Sequence, residues 1–130
     1  MPKIISTPSA AAPASNYAQA VEIETAARML YVSGQVGITS DGTPATTDEG
    51  QHEATWDNIL AILAAAGMQG SDIVEMTGYV TDPSGIPLFR QVRDAKLAGH
   101  KAASTVIIVP ALASPHWHVE IAVTAAKADG

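Results

Sequence analysis

The segment from His116 to Ala125, His-Trp-His-Val-Glu-Ile-Ala-Val-Thr-Ala, alternates in polarity. Odd positions carry Trp117, Val119, Ile121, Val123 and Ala125; even positions carry His116, His118, Glu120, Ala122 and Thr124. A period of two predicts a strand with one apolar face. Upstream, residues 102–109 read as a second strand. Val106 and Ile108 extend the apolar face, while Thr105, Ile107 and Val109 make the opposite face partly apolar too. Further upstream the period becomes helical. Trp56, Ile59, Leu60 and Leu63 fall on one stripe, Thr46 with Glu49 predicts a capping box at its start, and Gly67 suits the C-terminal cap. Residues 72–81 read as a strand. Asp82-Pro83 then opens a second helix through Phe89 and Val92 to Leu97, stopped by Gly99. Near the N-terminus, residues 21–24 and 29–33 are strand-like about a turn at Ala26-Ala27. Residues 39–47 form a polar loop, and residues 1–15 read as a flexible arm, Pro/Ala/Ser-rich from residue 6 onward.

The predicted order β-β-α-β-α-β-β is a single α+β domain over residues 1–130, with both helices on one face of a sheet. The other sheet face is partly apolar and must be buried or wetted. Burying it requires a partner, so the pattern alone implies an oligomer.

Composition narrows the function classes. A chain of 130 residues with 47% hydrophobic and 15% charged residues can bury an ordinary core. The net charge of −6, with no basic block, argues against nucleic-acid binding. The absence of cysteine excludes disulfides, thiolate catalysis and cysteine-ligated zinc. No apolar run has membrane-spanning length. The N-terminus has one Lys followed by Pro, Ser and Ala without a signal peptide's apolar core, so the expected compartment is the cytoplasm.

The chemistry concentrates on the even positions of the last strand, where two imidazoles and the Glu120 carboxylate share a predicted face. Residues two apart on a flat strand are about 7 Å apart, too far for two to share one ion at about 2 Å each. Only His52 or His100 offers a further ligand, so no metal is expected. A carboxylate in a half-buried cleft does suit general acid–base work.

Several short segments, in order and spacing, carry a resemblance. They are Tyr17-Ala18-Gln19-Ala20, the run Tyr31-Val32-Ser33-Gly34-Gln35-Val36-Gly37, the stretch from Asn58 to Gly67, Asp72-Ile73-Val74, Tyr79-Val80-Thr81-Asp82, Ala103-Ser104-Thr105 and Val119-Glu120-Ile121. From about Tyr17 to Ala126 the chain resembles the Rid (YjgF/UK114) family of imine and enamine deaminases. The resemblance implies a chorismate-mutase-like fold and a homotrimer whose sheets pack around a central barrel, with three clefts between subunits. It implies no cofactor and no membrane or nucleic-acid partner. The expected partners are a small-molecule substrate and further copies of the chain.

The implied roles follow residue by residue. Glu120 holds or activates a water attacking an imine carbon. The backbone N–H of Gly34, after Ser33, faces the substrate carboxylate, where a side chain would obstruct approach. Tyr17 and Trp117 line the pocket. Thr105 stands where well-studied members have Cys, and its backbone can still bind water. The consequential departure is Ala103. Deaminase members carry an Arg there that pairs with the substrate carboxylate, and the stretch from Phe89 to Thr105 is shorter than theirs. The chain thus resembles the Arg-lacking branch. Arg93, on the second helix, is a candidate replacement cation, and His118 could bring charge or proton transfer near Glu120. Bland readings stand beside these: Glu120 facing water, Tyr17 as packing, Ser33-Gly34 as a strand end, Arg93 as a solvated helix charge. The expected function is small-molecule hydrolysis in inter-subunit clefts. The alternative is a non-catalytic trimer that binds a metabolite or partner protein, and ribonuclease-like activity is a third choice that the acidic balance opposes.

Overall fold

The structure, a computed structural model, describes residues 2–24 and 28–128. Its elements are β1 (Lys3–Ile5), β2 (Ala20–Glu22), β3 (Arg28–Val36), α1 (Asp48–Ala65), β4 (Ile73–Val80), α2 (Gly85–Lys96), β5 (Ala103–Ile108) and β6 (Val119–Lys127). The predicted turn at Ala26-Ala27 lies outside the described residues. The main sheet has the order β3-β6-β4-β5. β6 pairs antiparallel with β3 and β4, and β5 pairs parallel with β4 after the α2 crossover. This is the α+β architecture expected, with one addition. β1 pairs with β2 in a separate two-stranded ribbon, so part of the predicted arm is a strand.

Both helices cover one sheet face. Trp56, Ile59 and Leu63 of α1 and Phe89 and Val92 of α2 are buried against Met76, Val80, Val119, Ile121, Val123 and Ala125. The alternation of β6 therefore faces inward as its period predicted. Gly78 seats α2, because a Cβ there would lie 2.2 Å from Cε2 of Phe89. Helix α1 starts one residue later than the capping-box spacing implied. Thr47, not Thr46, is its N-cap and accepts from the Gly50 N–H at 3.0 Å. Past its C-cap Ala66 stands Gly67, whose φ of +71° favours glycine. Two cations from the sheet meet the last carbonyls: Arg28 donates to Ala66 O at 2.7 Å and Lys127 to Gly67 O at 2.9 Å. Helix α2 opens at Gly85, after a turn in which Asp82 Oδ1 accepts from the Ser84 N–H and Oγ–H.

The opposite sheet face has no covering layer among the described residues. Its exposed apolar groups include Tyr31 (76%), Met29 (43%) and Ile107 (43%).

Candidate functional site

The uncovered sheet face holds the site. Glu120 follows the first residue of β6 and is half-buried. It stands opposite Tyr79 of β4. On its other side β3 is irregular: Val32 pairs with Val123, but Gln35 pairs with Ile121, so three steps of β3 oppose two of β6. That is a β-bulge, a device that re-aims backbone at sheet edges and beside sites. It places Ser33-Gly34 against Glu120, so closely that a Cβ at Gly34 would lie 2.1 Å from Glu120 Oε2. The carboxylate rests in the space a side chain would fill. Two sequence-predicted site residues, Gly34 and Glu120, are thus in contact. Ser33 is exposed, and its carbonyl accepts from Gln35 Nε2 at 3.0 Å.

The remaining predicted residues form a second group around β5. Ala18 N–H donates to Ala102 O at 2.9 Å, and Ala18 bridges Ala103, which docks the Tyr17 loop on the start of β5. The Tyr17 hydroxyl accepts from the Ala14 N–H at 3.2 Å. Thr105 is exposed on β5 opposite Thr77. Arg93 is buried, at 3% exposure. Its guanidinium donates to Ser15 Oγ at 3.1 Å, Ser104 Oγ at 3.4 Å and Asp94 Oδ1 at 3.0 Å, and packs over the Phe89 ring. It ties the Tyr17 loop to β5 from the helix side and has no contact with Glu120. A solvated helix charge does not describe it.

One chain does not unite the two groups. Ala103 pairs with Glu75, which pairs with Thr124, four residues along β6 from Glu120 and two strands away. On ordinary sheet dimensions that separation is about 17 Å.

The three-membered His-His-Glu face is corrected. The strand begins at Val119, and Trp117 lies in a turn whose N–H donates to Ser114 O. Gln51 of α1 clamps this segment. Its Nε2 donates to His116 O at 2.9 Å, and its Oε1 accepts from the His118 N–H at 2.8 Å. The clamp turns His118 toward the helices, where its Nδ1 lies 2.6 Å from Asp48 Oδ1. His118 is therefore not on the Glu120 face. Among the described residues no group of three or more His, Asp or Glu side chains could hold a metal ion. No described helix is long and apolar enough to cross a membrane.

Sequence reasoning passed over His52, considered only as a distant ligand. It is buried, and burial pushes its pKa down to about 4, Asp48 partly opposing. A signal was present, since residues 52, 56, 59 and 63 share the inner stripe of α1.

Residues 7–127 match the sequence profile of the family described as Endoribonuclease L-PSP. The chain belongs to the Rid family. The crystal structure of YyfB, a Rid-family protein of unknown function from Yersinia pestis, superposes with a TM-score of 0.86 at 25% identity, covering 97% of this chain and 98% of that one. The 2-iminobutanoate/2-iminopropanoate deaminase of Escherichia coli is 30% identical over 103 residues, 78% of each chain. The RutC family protein YjgH of Escherichia coli is 47% identical over 55 residues, which span 42% of this chain and 42% of that protein. The fold is thus the chorismate-mutase-like α+β fold of the Rid family, and a deaminase-like role holds at the level of that family.

Proposed function

We propose that this Rid protein hydrolyses small imines or enamines in clefts between the subunits of a homotrimer, with Glu120 positioning the water. The observation that carries the reading is the Glu120 carboxylate lodged against Gly34 on a half-buried sheet face. A carboxylate there can hold a water by accepting its hydrogen and take up a proton as the oxygen attacks the imine carbon. The attack gives a carbinolamine. The proton from water, passed on to the nitrogen, completes that carbinolamine; the hydroxyl proton then moves to the nitrogen by way of Glu120, the C–N bond breaks to release ammonia, and the C–O bond becomes the carbonyl. The Gly34 N–H meets a polar group of the substrate, and Tyr17, Ser33, Thr105 and Trp117 shape the cleft.

Two further observations support the trimer. The open sheet face carries exposed Tyr31, Met29 and Ile107, more apolar surface than solvent favours. The Gly34–Glu120 pair and the Tyr17–Thr105 group sit toward opposite edges of that sheet, β3 and β5. A β3 edge packed beside the β5 edge of the next copy brings the two groups into one cleft.

Ala103 favours a second reading, a non-catalytic trimer that binds a metabolite or partner protein. Ser15, Ser104 and Asp94 already engage Arg93, which weighs against its serving as the missing cation. Within the hydrolase reading the same facts favour imines without a carboxylate. The test is ammonia release from 2-imino acids made in situ by an amino-acid oxidase and from uncharged imines made by an amine oxidase. The hydrolase reading expects release above the uncatalysed rate, with uncharged imines the better substrates. No acceleration with either class would leave the binding reading.

A further inference from the structure

Among the described residues, the charged side chains that the four main strands turn to the open sheet face are both carboxylates. Glu120 of β6 is one, and Glu75 of β4 is the other. Glu75 is exposed between buried Val74 and Met76. Register sets it beside the second group of site residues. Glu75 pairs with Ala103 of β5, and two residues on Thr77 pairs with Thr105. Neighbouring strands lie about 4.8 Å apart, so this carboxylate stands one strand from Ala103, in the half of the proposed cleft that Tyr17 and Thr105 shape. The Thr77 hydroxyl donates to Glu75 Oε1 at 2.9 Å and holds the carboxylate on this face. Oε2 takes no hydrogen bond, and no Lys, Arg or His pairs with Glu75, among the described residues. The flanking residues Ala103 and Thr124 are small, so neither reaches over it. The cations of these elements point elsewhere. Arg28 and Lys127 donate to carbonyls at the end of α1, and Arg93 is buried on the helix side with Ser15, Ser104 and Asp94.

We infer, resting on the hydrolase reading above, that the preferred substrate is an imine bearing a second, protonated amine, and that Glu75 is the residue that selects it. The reactive carbon lies at Glu120 of one copy and the ammonium group at Glu75 of the next. The complementarity is chemical. An ammonium group offers three donors and no acceptor. Glu75 Oε2 is an open, charged acceptor, and the exposed Thr105 hydroxyl on the next strand is a second acceptor on the same face. A substrate carboxylate meets the opposite situation, since it would approach Glu75 with no cation on that face to offset the repulsion.

The test is ammonia release, under initial-rate conditions, from imines made in situ by flavin amine oxidases. The amines are 1,3-diaminopropane and 1,6-diaminohexane, with n-propylamine and n-hexylamine as partners of equal length that lack the second amine. At one length or both, wild type should show a kcat/KM about tenfold or more higher on the ammonium-bearing imine, as one charge-assisted contact implies. Glu75→Gln keeps the size of the side chain and an oxygen for the Thr77 hydroxyl, and should bring that ratio down to within about threefold of one. Glu75→Lys should reverse the preference, favouring the 2-imino acid made from D-alanine by D-amino-acid oxidase over the ammonium-bearing imine. A wild-type ratio near one at both lengths, or a ratio that both variants leave unchanged, with the monoamine imines still hydrolysed, would overturn the inference and leave the hydrolase reading standing. No acceleration of any imine would overturn both.

Discussion

Gly34→Ala is the most local perturbation of the proposed chemistry, and its size follows from the geometry of the Gly34–Glu120 contact. The new Cβ would lie 2.1 Å from Glu120 Oε2, 2.8 Å from its Cδ and 3.0 Å from its Cγ. Ordinary contact needs 3.4 Å or more, so the carboxylate must retreat. The retreat is more than about 1 Å, a displacement that can cost roughly 10²-fold in rate when it misplaces a reacting group. The fold should tolerate the change. Gly34 does not have the positive φ that excludes a side chain, and the clashing atoms are the far end of a flexible residue. Replacing glycine within a strand is worth about 0.5–1 kcal/mol in the favourable direction. The expectation is therefore an unchanged or slightly raised Tm with kcat/KM for imine hydrolysis reduced about a hundredfold. The assay is ammonia release under initial-rate conditions, with thermal unfolding as the control. In a Glu120→Gln background the same substitution should cost little more. Activity within a few-fold of wild type, in a folded Gly34→Ala protein, would show that the Gly34–Glu120 contact does not position the reacting water.

Other outcomes follow from the packing and the assembly. Gly78→Ala would put a Cβ 2.2 Å from Cε2 and 2.5 Å from Cζ of the buried Phe89 ring, and should lower stability by about 1–3 kcal/mol in urea unfolding; an unchanged midpoint would contradict the close seat of α2. His52 has its folded-state pKa lowered from 6.5 to about 4. The unfolded chain therefore binds its proton first, so this contribution to stability is complete above pH 6.5 and is lost as pH falls toward about 4. Wild type should lose up to about 3 kcal/mol relative to His52→Leu across that window, and parallel stability curves would exclude the effect. Light scattering should give the mass of three chains for wild type and a smaller mass for Tyr31→Glu, which places a charge on the open sheet face; a wild-type monomer at micromolar concentration would remove the cleft.

Local pattern made much of the fold legible, and the exceptions have tertiary causes. The alternation of residues 119–125 identified the inner face of β6 because a strand buried on one side must keep period two. The same alternation extended falsely to His116, because nothing local reveals that the Gln51 side chain will clamp His116 O and His118 N and turn the segment. Of two adjacent threonines the spacing to Glu49 selected Thr46, whereas the Gly50 N–H to Thr47 Oγ1 bond makes Thr47 the cap. β1 is three residues long and among the described residues pairs with β2 alone, too short for a period to register. At the site, Glu120 and Gly34 were legible as residue types at family-like spacing, whereas their contact depends on the bulge between Val32 and Gln35. Arg93 could not be placed from helical spacing, since Ser15 and Ser104 reach it from distant parts of the chain.

The central claim is that Glu120 positions the hydrolytic water. The most direct measurement is the rate of ammonia release from one uncharged imine by wild type and by Glu120→Gln, with the solution mass of both recorded. Glutamine keeps the size of the side chain and removes its proton acceptor. The account predicts equal masses, equal Tm within a few degrees, and a rate lower by about 10²-fold or more in the variant, as expected for loss of a general base. Equal rates from the two proteins would contradict it and assign Glu120 to the solvated edge of the sheet.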